Sequence, residues 1–356
     1  MYKAGSILVV LILLLSGCSF FEKKEEEQAG DEVIVLQPDV EVVAENLSVP
    51  WSIDMVNGTF YISERTGSIA KIENGQMERQ QVVLRKPLAE AAEAGLLGLV
   101  LDPQFAENHQ AYAYYTYSEE GQFNRVVVLT WNGADEWVEG RILLDRIPSA
   151  AYHHGGRIKI GPDGKLYITT GDATVPESAQ KRNSINGKIL RMNLDGSVPV
   201  DNPFANSFVY SYGHRNPQGL VWIGETLYAS EHGQSAHDEI NRIKPGANYG
   251  WPVIQGTERK AGMVTPLFQS GNETWAPSGM AAHNGKLYMA ALRGNAVREF
   301  DLEVGRTTAV ITGLGRIRDV FVDGNSLYFV SNNTDGRGTP DEKDDKLYRV
   351  LLRDLK

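Results

Sequence analysis

The chain has 356 residues, of which 42% are hydrophobic, and a formal net charge of -10. Its length suits one large domain or two average ones, and its composition suits a soluble globular fold. An acidic chain without a basic patch is excluded as a nucleic-acid binder, because phosphate recognition needs clustered Lys and Arg.

The N-terminus reads as a targeting segment. Lys3 is followed by the apolar run Ile7 to Leu15, which is too short to span a membrane as an ordinary helix. The run ends in Leu15-Ser16-Gly17-Cys18, which resembles the lipobox of bacterial lipoproteins. That resemblance implies an acylated Cys18 as the first mature residue, residues 1–18 as signal peptide, and a protein lipid-anchored on the extracytoplasmic face of the cell membrane. The alternative is a secretory signal with a chance cysteine. No other cysteine is present, so no intrachain disulfide can form. Residues 19–38, with the run Glu22-Lys23-Lys24-Glu25-Glu26-Glu27, read as a solvated linker. The folded domain is then expected over 39–354.

From Val40 onward the pattern is short strands and turns, with almost no helical periodicity. One phrase recurs, a turn pair followed by Leu or Phe and then Tyr, as in Gly58-Thr59-Phe60-Tyr61 and Gly164-Lys165-Leu166-Tyr167. The tyrosines at 61, 112, 167, 228, 288 and 328 mark six copies, spaced by 51, 55, 61, 60 and 40 residues. Strand-only self-similarity at this period is the signature of a β-propeller, so the expected fold is all-β with six blades. The strand within Val40–Leu47 precedes the first copy and is expected to complete the last blade, closing the ring and removing an open edge. The alternative is a pair of β-sandwiches.

A propeller builds its site from loops at one end of the central channel, so chemical residues should be scattered and lie near strand ends. The densest stretch is Tyr210–Pro252. There Gly213 to Gly219 forms a turn presenting Arg215 and Asn216, and Glu231-His232-Gly233 leads to Asp238-Glu239. Carboxylates and loop carbonyls of this kind suit a hard cation such as calcium. Upstream, His153 precedes a strand, and Asp172 follows the next one. A hairpin can bring the two together as an oriented general base, or as a structural pair.

Longer motifs follow one another in order: Ala94-Gly95-Leu96-Leu97-Gly98-Leu99, His153 to Arg157, Gly213 to Gly219, Asp238 to Asn241, Asn248 to Pro252, and Asn332 to Gly338. Over about residues 40 to 352 the chain resembles the soluble quinoprotein glucose/sorbosone dehydrogenases, and within them the bacterial aldose sugar dehydrogenases. The resemblance implies a six-bladed propeller that binds pyrroloquinoline quinone (PQQ) and calcium and oxidises C1 of aldose sugars to lactones. A quinone or other acceptor would take the electrons. His153 would be the general base for the C1 hydroxyl, Asp172 would orient it, and Arg215 would stabilise charge developing on the cofactor. Asn216, Gln218, Glu93 and Arg293 would lie against the cofactor, and Arg316 and Arg318 would grip its carboxylates. Calcium would be held by the carbonyls of Gly233 and Gln234, and a structural calcium by Glu239 and the backbone oxygen of Tyr249.

Several positions depart from the glucose-oxidising members. Glu93 stands in place of Gln, Tyr152 in place of Asp, and Arg293 in place of Lys. His232 and Gln234 replace Gln and Pro, and a shortened segment after Glu273 leaves the placement of Trp275 open. Two other functions compete with the dehydrogenase: a calcium-bound propeller without turnover that serves as an extracellular binding module, and a calcium-dependent lactonase. The lactonase would need a cage of inward carboxylates or Asn, whereas the inward residues here are mostly basic.

Overall fold

The computed structural model describes residues 38–134 and 136–355. Cys18, the signal segment and all of the linker but its last residue therefore lie outside the described residues. Among the described residues, helix is confined to Phe105–Asn108 and two short 3-10 turns, Pro176–Gln180 and Leu352–Asp354. None is long and apolar enough to cross a membrane.

The remainder is β-structure in antiparallel meanders. The strand β1 (Glu41–Ala44) comes first, followed by β2 (Pro50–Val56), β3 (Thr59–Glu64), β4 (Ser68–Glu73) and β5 (Gln76–Val83). Next come β6 (Leu96–Leu101), β7 (Gln110–Ser118), β8 (Gln122–Trp131) and β9 (Glu136–Pro148), then β10 (Ile158–Ile160), β11 (Leu166–Thr170), β12 (Lys188–Met192) and β13 (Val209–Tyr212). The second half repeats the plan with β14 (Pro217–Ile223), β15 (Thr226–Glu231), β16 (Glu239–Ile243) and β17 (Phe268–Gln269), then β18 (Pro277–His283), β19 (Lys286–Ala291), β20 (Ala296–Asp301) and β21 (Arg306–Thr312). The last strands are β22 (Ile317–Asp323), β23 (Ser326–Ser331) and β24 (Leu347–Leu351).

Four of the sheets have four strands. In one of them β1 pairs with β24, so the start and the end of the fold share a sheet, as the sequence led us to expect. The fifth sheet has eight strands, because the meanders β2–β5 and β6–β9 join through a parallel pairing of their outer strands, β5 and β9. That pairing satisfies backbone groups that two exposed edges would leave open.

Burial explains which strands lie where. β3, β6, β11 and β12 are buried along their whole length, whereas β5 and β21 are mostly exposed or half-buried. A strand covered on both faces reads as a continuous apolar run, and one at the rim does not. The apolar clusters lie between successive meanders: Tyr61 and Ile69 pack with Leu96 and Leu99, Tyr167 and Ile189 with Leu220 and Leu227, and Ile53 and Ile62 with Val330 and Leu347. The first strands of the meanders, β2, β6, β10, β14, β18 and β22, touch in that order and then return to β2. This is the β-propeller arrangement, with the first strands around the axis.

Among the first strands, the fully buried Arg157 donates through Nη1 to Asp319 Oδ2 (2.9 Å) and to Ser52 Oγ (3.1 Å), and its guanidinium lies 4.2 Å from the Trp51 ring centre. A side chain at Gly279 would place Cβ 1.5 Å from Asp319 Oδ1, so glycine is what admits the carboxylate. At one mouth of the channel the first strands end in an apolar set that includes Ile160, Leu220, Trp222, Met280 and Phe321. The opposite mouth is polar.

Candidate functional site

At the polar mouth, a cavity of about 420 Å³ is walled by residues at the beginnings of all the first strands, from Trp51 and Leu97 through Gly155, Gln218 and Ala276 to Arg316 and Arg318. Arg65, Arg293 and Arg337 also line it, and Glu93 is the one carboxylate in its wall. Five guanidinium groups around one space make a strongly positive site. Burial, reinforced by the neighbouring Arg65, pushes Arg318 down to about 9. Burial likewise lowers Arg65 and Arg215. Protein acceptors meet only part of this donor capacity: Arg318 Nη1 donates to Gln218 Oε1 (3.0 Å) and its Nη2 to Asn332 Oδ1 (2.9 Å), and Arg316 Nη2 donates to Asp335 (2.8 Å). The Nε atoms of Arg215 and Arg316 are buried without a partner, as are Nε2 of His154 and His232. Unpaired buried guanidinium N–H groups are costly, and an anionic ligand would complete them.

His153 sits beside this cavity rather than in its wall. Its Nδ1–H donates to Asp172 Oδ1 at 2.7 Å, and its side chain is 18% exposed. Asp172 is itself held on three sides: Oδ2 accepts from Trp251 Nε1 (2.8 Å), Oδ1 accepts from Thr174 N–H (2.8 Å), and its own N–H donates to the Arg215 carbonyl (2.8 Å). The β10–β11 hairpin brings His153 and Asp172 together. At Gly171 a Cβ would lie 1.8 Å from the His153 carbonyl oxygen, so only glycine allows the close approach. His153 adopts a left-handed backbone with φ 64. For a non-glycine residue that costs about 1–2 kcal/mol, and such strain tends to gather at functional positions.

The other expected residues fall in two places. Glu93, Gln218, Arg293, Arg316 and Arg318 line the large cavity. Arg215 lines a narrow second cavity with Glu231, Gly233, Glu239 and Tyr249, and its guanidinium stacks 5.3 Å from the Trp251 ring centre. Asn216 is buried, and its Oδ1 accepts from Gly155 N–H (2.9 Å), which ties the Arg215 turn to the His153 loop. Gln234 is exposed next to Gly233.

Asp238 and Glu239, adjacent in sequence, do different work. Asp238 is consumed internally, accepting from Gly233 N–H (2.9 Å), Trp275 N–H (2.6 Å) and Ala276 N–H (2.9 Å). Burial and the nearby Glu231 push the Glu239 carboxyl up to about 8. A cation there would relieve that crowding. The Tyr249 hydroxyl is committed to Arg242 O (2.7 Å) and Lys244 N–H (2.8 Å), which leaves its backbone carbonyl as the donor it could offer. Among the described residues no group of three or more His, Cys, Asp or Glu side chains is placed to hold a metal. Gly233, Glu239 and Tyr249 share the wall of this narrow cavity, and oxygen donors of this kind are the type a hard cation would take.

Trp275 is not at the cavity. Its ring is buried against Phe300, with centroids 5.6 Å apart, and the cavity wall takes its neighbour Ala276 instead. Sequence reasoning did not single out Trp51, Arg65, His154 and Arg337 as cavity-lining residues. Trp51 reads as core, and Arg65 and Arg337 sit in turns whose direction depends on long-range packing.

A family model described as glucose/sorbosone dehydrogenase matches residues 47–349. The aldose sugar dehydrogenase of Escherichia coli is 28% identical over 347 residues, covering 84% of this chain and 91% of the relative. Quinoprotein glucose dehydrogenase B of Acinetobacter calcoaceticus is 34% identical over 262 residues, covering 63% of this chain and 54% of the relative. Among solved structures, the PQQ-bound aldose sugar dehydrogenase of Streptomyces coelicolor is similar with a TM-score of 0.82 and 36% identity, over 88% of this chain and 98% of that one.

Proposed function

Because the chain belongs to the glucose/sorbosone dehydrogenase family, we propose that it is a quinoprotein that oxidises the C1 hydroxyl of aldose sugars to lactones, using PQQ and calcium. The observation that carries this reading is the arginine-walled cavity with an oriented histidine at its edge. When bound, PQQ supplies a two-electron acceptor, and calcium supplies Lewis-acid polarisation of it.

The chain's own residues do the rest. Arg316 and Arg318 offer guanidinium forks to carboxylates, a match of geometry as well as charge. Arg293 adds a further cation to the cavity wall, and Arg215, with its unpartnered Nε in the adjoining narrow cavity, would stabilise negative charge that develops on the cofactor. Asn216 and Gln218 hold the frame around them, and Glu93 is the anionic group of the wall. Asp172 fixes the proton of His153 on Nδ1, so Nε2 is left as the lone-pair nitrogen that takes the C1 hydroxyl proton. Calcium would be bound by the carbonyls of Gly233 and Gln234, and a separate structural calcium by Glu239 and the backbone oxygen of Tyr249.

The same reading counts six blades, with the eight-stranded sheet as two blades joined at their rims by β5 and β9. We also place the protein on a membrane through acylated Cys18, with 19–38 as its tether and a quinone or other carrier as electron acceptor. Replacing Cys18 by Ser should move the protein from the membrane fraction to the soluble one.

The direct test is dye reduction by the detergent-solubilised full chain with PQQ, calcium and a panel of aldoses. Sugar-dependent reduction that requires PQQ supports the dehydrogenase. Lactone hydrolysis without PQQ would establish a lactonase, and neither activity would leave a binding module.

A further inference from the structure

Glu93 does more than contribute a charge to the cavity. It lies in the loop before β6, and Oε2 accepts from the backbone N–H of His153 at 3.2 Å. Its other oxygen, Oε1, accepts from Arg337 Nη1 at 2.9 Å. Arg337 belongs to the loop after β23, 244 positions away in sequence. Three loops from separate meanders therefore meet in one chain of contacts, Arg337 to Glu93 to His153. The N–H that Glu93 receives belongs to a residue with left-handed backbone, φ 64. That conformation needs outside support, because it is disfavoured for residues with a side chain. The Asp172 contact orients the His153 ring, while the Glu93 contact fixes its backbone.

We infer that Glu93 and Arg337 form a clasp that positions His153, with Arg337 neutralising the carboxylate that holds the histidine backbone. This rests on the reading of His153 as the base, and it assigns Glu93 and Arg337 as positioning residues for it. Both carboxylate oxygens of Glu93 accept a hydrogen bond within the clasp. The wall around it is consistent with the assignment. Burial would raise the Glu93 carboxyl, but the Arg337 contact together with His232 and His154 holds it down at about 2. The other charged groups that face Glu93 are Arg65, Arg215 and Arg318. His153 itself faces Asp172 and His154. At the mouth the Arg337 side chain is 43% exposed and lies 5.8 Å from the ring centre of the exposed Tyr152, next to His153 in sequence. Two of the positions that depart from the glucose-oxidising pattern, Glu93 and Tyr152, thus contact one cation, Arg337.

The sign of the electrostatic effect separates this clasp from a packing contact. Without Arg337, an unpaired anion beside His153 favours the protonated ring; without the Glu93 charge, an unpaired cation disfavours it. The experiment is an NMR titration of the His153 ring in the full-length protein without added cofactor, with the resonance assigned from His153→Gln. Arg337→Met should raise the midpoint by about half a pH unit or more, and Glu93→Gln should lower it by about as much. The double variant should return to within about 0.2 of the original, as coupled charges require, and Arg337→Lys should stay near it. Single-variant shifts of the same sign, or none above about 0.2, would overturn the clasp.

A second arm uses PQQ and an aldose. Glu93→Ala should lower kcat about tenfold or more with little change in KM, and Glu93→Gln, which keeps an acceptor for the His153 N–H, should recover most of it. An unchanged kcat in Glu93→Ala would also overturn the clasp. Should the wild-type chain bind no PQQ, the dehydrogenase reading falls while the titration still decides the clasp.

Discussion

Among the described residues, two histidine–carboxylate pairs are found. In one, His153 Nδ1 and Asp172 Oδ1 are 2.7 Å apart; in the other, His214 Nδ1 and Glu231 Oε2 are also 2.7 Å apart. By that distance alone they are the same device. The difference lies in the far nitrogen. His214 is fully buried, its Nε2 is bonded to Ser211 Oγ (2.8 Å), and its ring stacks on Tyr249 at 4.8 Å. His153 remains 18% exposed beside the cavity, and no described residue bonds its Nε2. A carboxylate on one nitrogen orients a histidine. Only a free second nitrogen with access to a ligand makes it a base.

The contrast is broken most directly by removing each ring. His153→Ala should lower kcat for sugar-dependent reduction about a thousandfold while PQQ affinity stays within a few-fold, since a positioned base contributes about 10²–10⁴. Comparable loss in His214→Ala, measured on protein shown to be folded, would mean that the two pairs are not distinct in role. Next, Asp172→Asn should cost about a hundredfold or more in kcat, because an amide can hold the imidazole in the wrong tautomer. Gly171→Ala sharpens the same point without touching either partner. Its Cβ would displace the His153 carbonyl, so kcat should fall by about tenfold or more, the loss expected when a reacting group is shifted by a fraction of an ångström. The smallest catalytic effect belongs to Glu231→Gln. It weakens buried bonds to the His214 ring and to the Arg215 N–H, so stability should drop by about 1–3 kcal/mol, read as a lower Tm, with kcat of the folded protein changed by less than about tenfold.

Much of the fold is legible in the sequence because its repeat is local. The tyrosines 61, 112, 167, 228, 288 and 328 each fall on the second strand of a meander, at β3, β7, β11, β15, β19 and β23. The pairing of β1 with β24 follows from one unmatched strand at the start. The parallel join of β5 and β9 does not, since it depends on how two finished sheets meet at their rims. The candidate site divides the same way. Gly155, Gly171 and the hairpin around β10 and β11 are short-range features that bring His153 to Asp172. Trp51, Arg65 and Arg337 reach the cavity only because strands remote in sequence close around one axis. Nor could composition separate His153 from His214, because the difference is solvent access. Asp238 and Glu239 read as one carboxylate pair, yet Asp238 is spent on backbone N–H groups, and Glu239 alone faces the narrow cavity.

Rapid mixing of the PQQ- and calcium-loaded full chain with an aldose tests most directly the proposal that the arginine cavity takes PQQ next to His153 as the base. Absorbance of the bound quinone should show its reduction in a single turnover in the wild type. In His153→Ala, PQQ should bind with similar affinity but be reduced about a thousandfold more slowly. If PQQ fails to bind, or is reduced equally fast in the variant, the assignment of this cavity and this histidine is contradicted.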